Sequence, residues 1–161
     1  MAQSPDFETV YDVETAIEDA IAAEFAALPD SMTVYKSRAT ASKATPYLNI
    51  QCLIGEETGR MTVDNAGTFR NSAWNFQLLV GIVTNRADDS TTHKTWRAKV
   101  RKICADWVAR LTQLNSTLDY HVIGNITGVG SSYSVDNEND VDITVLEFSG
   151  FVSIRPDAWP A

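Results

Sequence analysis

From Asp88 to Asn115 the chain reads DDSTTHKTWRAKVRKICADWVARLTQLN, a long amphipathic helix holding six of the thirteen Lys and Arg of an acidic protein. At about 100° per residue, Trp96, Val100, Ile103, Trp107, Leu111 and Leu114 fall on one stripe, while Lys94, Arg101 and Lys102 point away from it. A stripe this narrow needs a flat apolar surface to cover. The sequence on either side is β-rich, so the helix is expected to lie across a sheet. Ser90, Thr91 or Thr92 serves as its N-cap, with Asp88 and Asp89 near the positive helix end.

A first helix is expected to start near Ser4, with Pro5 at its first position, or after a cap at Thr9, and to run to Leu28, where Pro29 and Asp30 stop it. Val10, Val13, Ile17, Ala20, Ile21 and Leu28 form its apolar arc; Asp12, Glu14, Glu18 and Asp19 decorate the rest. Glu24 falls inside the arc, which leaves two readings, a carboxylate reaching solvent from a rotated last turn or an inter-subunit salt bridge. A short strand is expected over Met32 to Lys36. In Tyr47 to Ile54, residues Leu48, Ile50, Cys52 and Ile54 alternate with Tyr47, Asn49, Gln51 and Leu53, the period of two of a strand with one buried face. Gly55 to Gly59 reads as a turn. Asn71 to Thr84 is a second long strand with Trp74, Phe76, Leu78, Val80 and Ile82 on one face, apolar on both faces in its later part, as in a central strand.

After the long helix, strands are expected over Tyr120 to Val129, over Ser132 to Val135 and from Val141 to Arg155, the last ended by Pro156. The sum is a single α+β domain over residues 1–161, mainly an antiparallel sheet with two long helices on one face, in the order α-β-β-β-α-β-β. Segments 37–46 and 130–142 read as mobile.

A length of 161 residues suits one domain, and 44% hydrophobic residues with four Trp can build its core. The formal charge of −8 disfavours general binding to nucleic acid or anionic lipid, because the overall field repels polyphosphate. A basic helix face in such a chain points first to a protein partner. Cys52 and Cys104 lie among apolar neighbours with no CxxC spacing and read as buried free thiols. The N-terminal MAQSPDFETVYD lacks the basic and apolar regions of a secretory signal, and no apolar run reaches the ~20 residues of a membrane span. Synthesis and retention in a cytoplasm is the simplest expectation.

No residue pattern announces catalysis. His93 and His121 have no partner at metal-ligand spacing, GxSxG is absent, and GNITGVG at 124–130 precedes strand-like sequence instead of opening a helix. Its glycines read as strand bulges or close backbone approach. Asp136, Glu138, Asp140 and Asp142 lack the Gly and terminal Glu of an EF-hand loop and read as a solvated hairpin tip. The functional alternative is an acidic prong that docks on a basic neighbour. Its counterpart is the outer helix face, where Ala98, Ala105 and Ala109 lie between Lys94, Arg101 and Lys102 and let another backbone come close, although alanine is also simply the best helix former. Arg97, Lys99 and Arg110 sit nearer the sheet, where their stems can cover apolar surface.

The helix-bearing TTHKTWRAKVRKI at 91–103 and the closing FVSIRPDAW at 151–159, in this order of elements, resemble the tail terminator and head-tail joining proteins of long-tailed bacteriophages. The resemblance implies a non-enzymatic virion protein, without cofactor or metal, made in the host cytoplasm and assembled as a ring homo-oligomer, a hexamer. Its implied partners are the tail-tube protein and the head connector or head-closure protein, with DNA passing through unread. The resemblance matches no individual interface residue; from the charges above, the candidate subunit interface takes in Lys94, Ala98, Arg101, Lys102 and Ala105 on one side, and either Asp136, Glu138, Asp140 and Asp142 or the acids of the first helix on the other. Head-closure and tail-tube subunits share this texture. A small α+β ligand-binding module and an enzyme with scattered site residues are the readings from other classes.

Overall fold

The computed structural model describes residues 7–29, 32–36, 46–62, 69–86, 90–114 and 120–154. Helix α1 spans Phe7–Ala26, strands β1 Thr33–Lys36, β2 Tyr47–Thr62 and β3 Phe69–Asn85 follow, then helix α2 Ser90–Leu114 and strands β4 Tyr120–Asp136 and β5 Val141–Ile154. This is the expected α-β-β-β-α-β-β order. The five strands form one sheet in the order β1-β2-β3-β5-β4. β1 pairs with β2 in parallel and every other neighbouring pair is antiparallel, so the sheet is mixed with an antiparallel majority.

The alternation seen in the sequence decides which face is covered. Leu48, Ile50 and Cys52 of β2, Phe76, Leu78, Val80 and Ile82 of β3, and Leu146, Phe148 and Val152 of β5 are all buried. The register sets them side by side, with Cys52 opposite Leu78 and Leu78 opposite Phe148. Both helices cover this face. Val13, Ile17, Ile21 and Phe25 come from α1, and Trp96, Val100 and Cys104 from α2, into one continuous core. β3 is the middle strand of the five, which explains why its end is apolar on both faces: Val83 is buried on the far side from Ile82. Gly150 sits opposite Phe76 because a Cβ there would lie 2.7 Å from the ring; the missing side chain makes room for the aromatic one.

Four expectations are corrected. Gly55 to Gly59 is no turn: β2 runs through it, absorbing the glycines with register shifts between Ile54 and Gly59. The two segments expected over 120–129 and 132–135 are one strand, β4, whose shifts between Ile123 and Gly130 match the bulge reading of GNITGVG. Helix α1 ends at Ala26, before Leu28, the chain tightening as Leu28 N–H turns to the Phe25 carbonyl at 3.2 Å. Glu18, expected among the solvent-facing decoration, is 7% exposed and points at the sheet. Segment 37–46 lies, but for Pro46, outside the described residues, as do Asp88, Asp89 and FVSIRPDAW beyond Ile154. The side chains of Val10, Trp107, Ala109, Arg110, Leu111, Leu114 and His121 also lie outside them.

Candidate functional site

α1 and α2 serve opposite flanks of the sheet, and their polar groups do different work. On the first flank, the β1–β2 pairing reaches Lys36 opposite Ile50. The next β2 amides facing that edge, Cys52 N–H and Ile54 N–H, donate to Glu18 Oε1 at 3.0 Å and Glu14 Oε1 at 2.9 Å. The two glutamates are one helical turn apart, so their spacing matches alternate strand residues, and α1 closes the edge with side chains. Lys36 pairs with Asp19 beside them. Burial raises the Glu18 carboxyl above its ordinary value, partly opposed by the Cys52 amide. Glu24 is half-buried and engaged.

On the second flank, α2 packs along β4 and β5. His93, in its first turns, is buried with Nδ1 2.9 Å from Thr84 Oγ1 of β3 and Nε2 2.6 Å from Thr144 Oγ1 of β5. These bonds pin the helix start to the centre of the sheet, and burial pulls the imidazole below its ordinary pKa. Trp96 and Val100 follow on the buried stripe, with Lys99 Nζ 4.6 Å from the Trp96 ring centroid, a stem laid over apolar surface as expected. Lys94, Ala98, Arg101 and Lys102 are all exposed on the outer face. Ala105 lies further along α2, where side chains are outside the described residues.

The acidic cluster divides into two kinds of residue. Asp136 accepts the Glu138 and Asn139 N–H groups and the Asn139 side-chain amide at 2.7–3.3 Å, which shapes the turn and lowers its carboxyl pKa. Asp142 accepts the Tyr133 hydroxyl at 2.8 Å and lies 3.9 Å from Arg86 Nε. Arg86 ties the turn down further, its N–H donating to the Asp140 carbonyl and its guanidinium to Asn137 Oδ1, both at 2.9 Å. Asp140 takes a left-handed φ of 56°, which a short polar side chain tolerates. Glu138 and Asp140 are left with exposed carboxylates at the tip of the β4–β5 hairpin. Of the four acids, then, two build the turn and two present charge outward.

Three features here were not read from the sequence. Tyr133 and Val129 of β4 are 60% and 54% exposed, large apolar groups on the outermost strand. The Tyr133 ring stands edge-on to His93 at 6.1 Å, so it lies against the first turns of α2. Further down, Arg101 and the Gly128–Ser131 stretch of β4 flank a notch of about 470 Å³ floored by Leu146 and Phe148. A signal was present: Thr127 to Val135, TGVGSSYSV, carries no charge and no proline, unusual in an edge strand.

Cys52 and Cys104 are free and buried, as expected; burial pushes the Cys104 thiol up to about 12 and the Cys52 thiol higher, which disfavours the thiolate at both. Among the described residues, no group of three His, Cys, Asp or Glu side chains could hold a metal ion. No helix among them is long and apolar enough to cross a membrane.

No family model matches the chain, and no curated protein does. Solved structures do. A chain from the virion of a native gene transfer agent particle is 13% identical, with 85% of this chain and 94% of that one covered and a TM-score of 0.54. A second solved chain is 15% identical over 94% of this chain and 97% of its own, with a TM-score of 0.48. At 13% identity, what the gene transfer agent chain shares with this one is the fold.

Proposed function

We propose that this chain is a structural protein of a phage-like virion, without catalysis or cofactor, which closes into a ring that terminates a tail tube and joins tail to head. The observation that carries the reading is the shared fold with a virion chain across nearly the whole of both. The sequence resemblance to tail terminator and head-tail joining proteins supports the finer role. A hexamer is the expected ring, the tail-tube protein and the head connector or head-closure protein its partners, and the virion neck its place. Physically, a heterologous interface needs two complementary patches on each subunit, and it closes when the rotation between copies does. The exposed cations Lys94, Arg101 and Lys102 would form one patch, with Ala98 allowing close approach; the acidic hairpin, through its exposed Glu138 and Asp140, would form the other. A net charge of −8 keeps passing DNA from adhering to a lumen.

Mass measurement in solution, with and without tail-tube protein, tests the reading. The expected result is a discrete ring whose assembly weakens with salt and with Lys94→Glu, Arg101→Glu and Lys102→Glu combined. A chain that stays monomeric at high concentration, also with tail-tube protein present, overturns it. Rings that stack into tubes on their own would favour a tube subunit, and binding to the connector without the tube a head-closure role.

A further inference from the structure

We infer that the notch between Arg101 of α2 and Gly128–Ser131 of β4 is the seat for the β4–β5 hairpin tip of a second copy of this chain. This rests on the ring reading above and gives it a specific contact. α2 and β4 run side by side: His93 faces Tyr133 near one end, and Arg101 faces the 128–131 backbone two turns further on. Arg101, the exposed Tyr133 and Val129 and the notch therefore belong to one surface. The notch is open to an incoming main chain because two of the β4 residues along it, Gly128 and Gly130, carry no side chain. Cβ atoms there would stand 3.8 Å from the Phe148 ring and from the Glu147 carboxylate, ordinary contact distances, so the glycines are not demanded by crowding within the subunit.

Charge complementarity selects the occupant. Arg101, with Lys94 and Lys102 near it along α2, calls for a carboxylate, while Glu147, which also lines the notch, accepts from the Gln77 amide at 2.8 Å. Within the subunit, Asp136 and Asp142 are held by Asn139, Tyr133 and Arg86, whereas Glu138 and Asp140 stand exposed at the tip. The tip is rigid where it must be, since Arg86 and Asp136 fix its backbone, so docking costs little ordering. A tip seated in a neighbour's notch also makes a head-to-tail contact, the kind that closes rings.

A charge swap tests this. Arg101→Glu and Glu138→Arg are both surface changes, and each alone is expected to weaken association about tenfold, while the double variant recovers to within about threefold of the native chain. In parallel, Ser131→Cys with Glu138→Cys should give a ladder of disulfide-linked oligomers on mild oxidation, because the native thiols are buried and do not compete. Assembly that survives both single reversals, or a double variant no better than the worse single, or the absence of a ladder from assembled protein, overturns the notch and leaves the ring reading standing. A native chain that never associates overturns both.

Discussion

Where β2 runs beyond the β1 pairing, its Cys52 and Ile54 amides are met by Glu18 and Glu14, so this stretch of the first flank finds its acceptors within the subunit. Across the sheet, β4 is the last strand, residues 127–134 are exposed, and two of its side chains, Val129 and Tyr133, are large and apolar. Edge strands are ordinarily blunted by charge, proline, bulges or a covering helix. β4 has bulges between Ile123 and Gly130, but above them its pairing with β5 is regular and the strand is uncharged as far as Val135. The β2 amides at Cys52 and Ile54 have acceptors inside the subunit, whereas the uncharged stretch of β4 is where the proposed ring contact would lie.

If the flanks differ only at their edges and outer faces, their cores should count alike. Phe25→Ala on α1 and Trp96→Ala on α2 remove buried aromatic rings and are each expected to cost about 3–5 kcal/mol in denaturant unfolding. A Trp96→Ala loss below about 1 kcal/mol would mean that α2 is not seated as described.

The edge closure itself is sharper. Glu18→Ala leaves the Cys52 N–H without an acceptor and is expected to cost about 1–3 kcal/mol, whereas Glu18→Gln keeps an acceptor oxygen and sheds a buried charge. Because the folded carboxyl titrates above its unfolded value of 4.5, the charged form costs stability as pH rises through that window. The Gln variant should therefore match or exceed the native chain at neutral pH. Equal losses for both variants would show that packing, and not the Cys52 bond, is what Glu18 supplies.

On the other flank the polar anchor is His93, whose folded pKa lies below its unfolded value of 6.5. Between those values the unfolded chain binds a proton that the folded chain refuses. Stability is thus full above about 6.5 and lost as pH falls toward the folded pKa, and His93→Gln should remove that part of the slope. Superimposable pH profiles for the two proteins would contradict the buried, neutral imidazole.

The fold was legible because its two periods are strong. Leu48, Ile50 and Cys52 alternate over a buried face, and Trp96 and Val100 recur at helical spacing, so element types and order follow from burial alone. What escaped was decided by contacts between distant segments. Glu18 looks like any solvent-facing glutamate until β2, 34 residues on, brings an unpaired amide to it. The glycines at 55 and 59 read as a turn because a bulged strand and a turn share the same local chemistry. At the candidate surface, the cations of α2 were readable from helix geometry. The division of the acids was not, since Asp136 and Asp142 take on structural roles only once Asn139, Tyr133 and Arg86 are placed around them.

Amide hydrogen exchange, resolved by residue and compared between dilute and assembled protein, tests the contrast between the flanks most directly. Cys52 and Ile54 are expected to be equally protected in both states, while those amides of residues 127–134 that point away from β5 exchange fast in the dilute chain and slow on assembly. Protection that rises along α1 and β2 instead, or β4 amides unchanged by assembly, would contradict it.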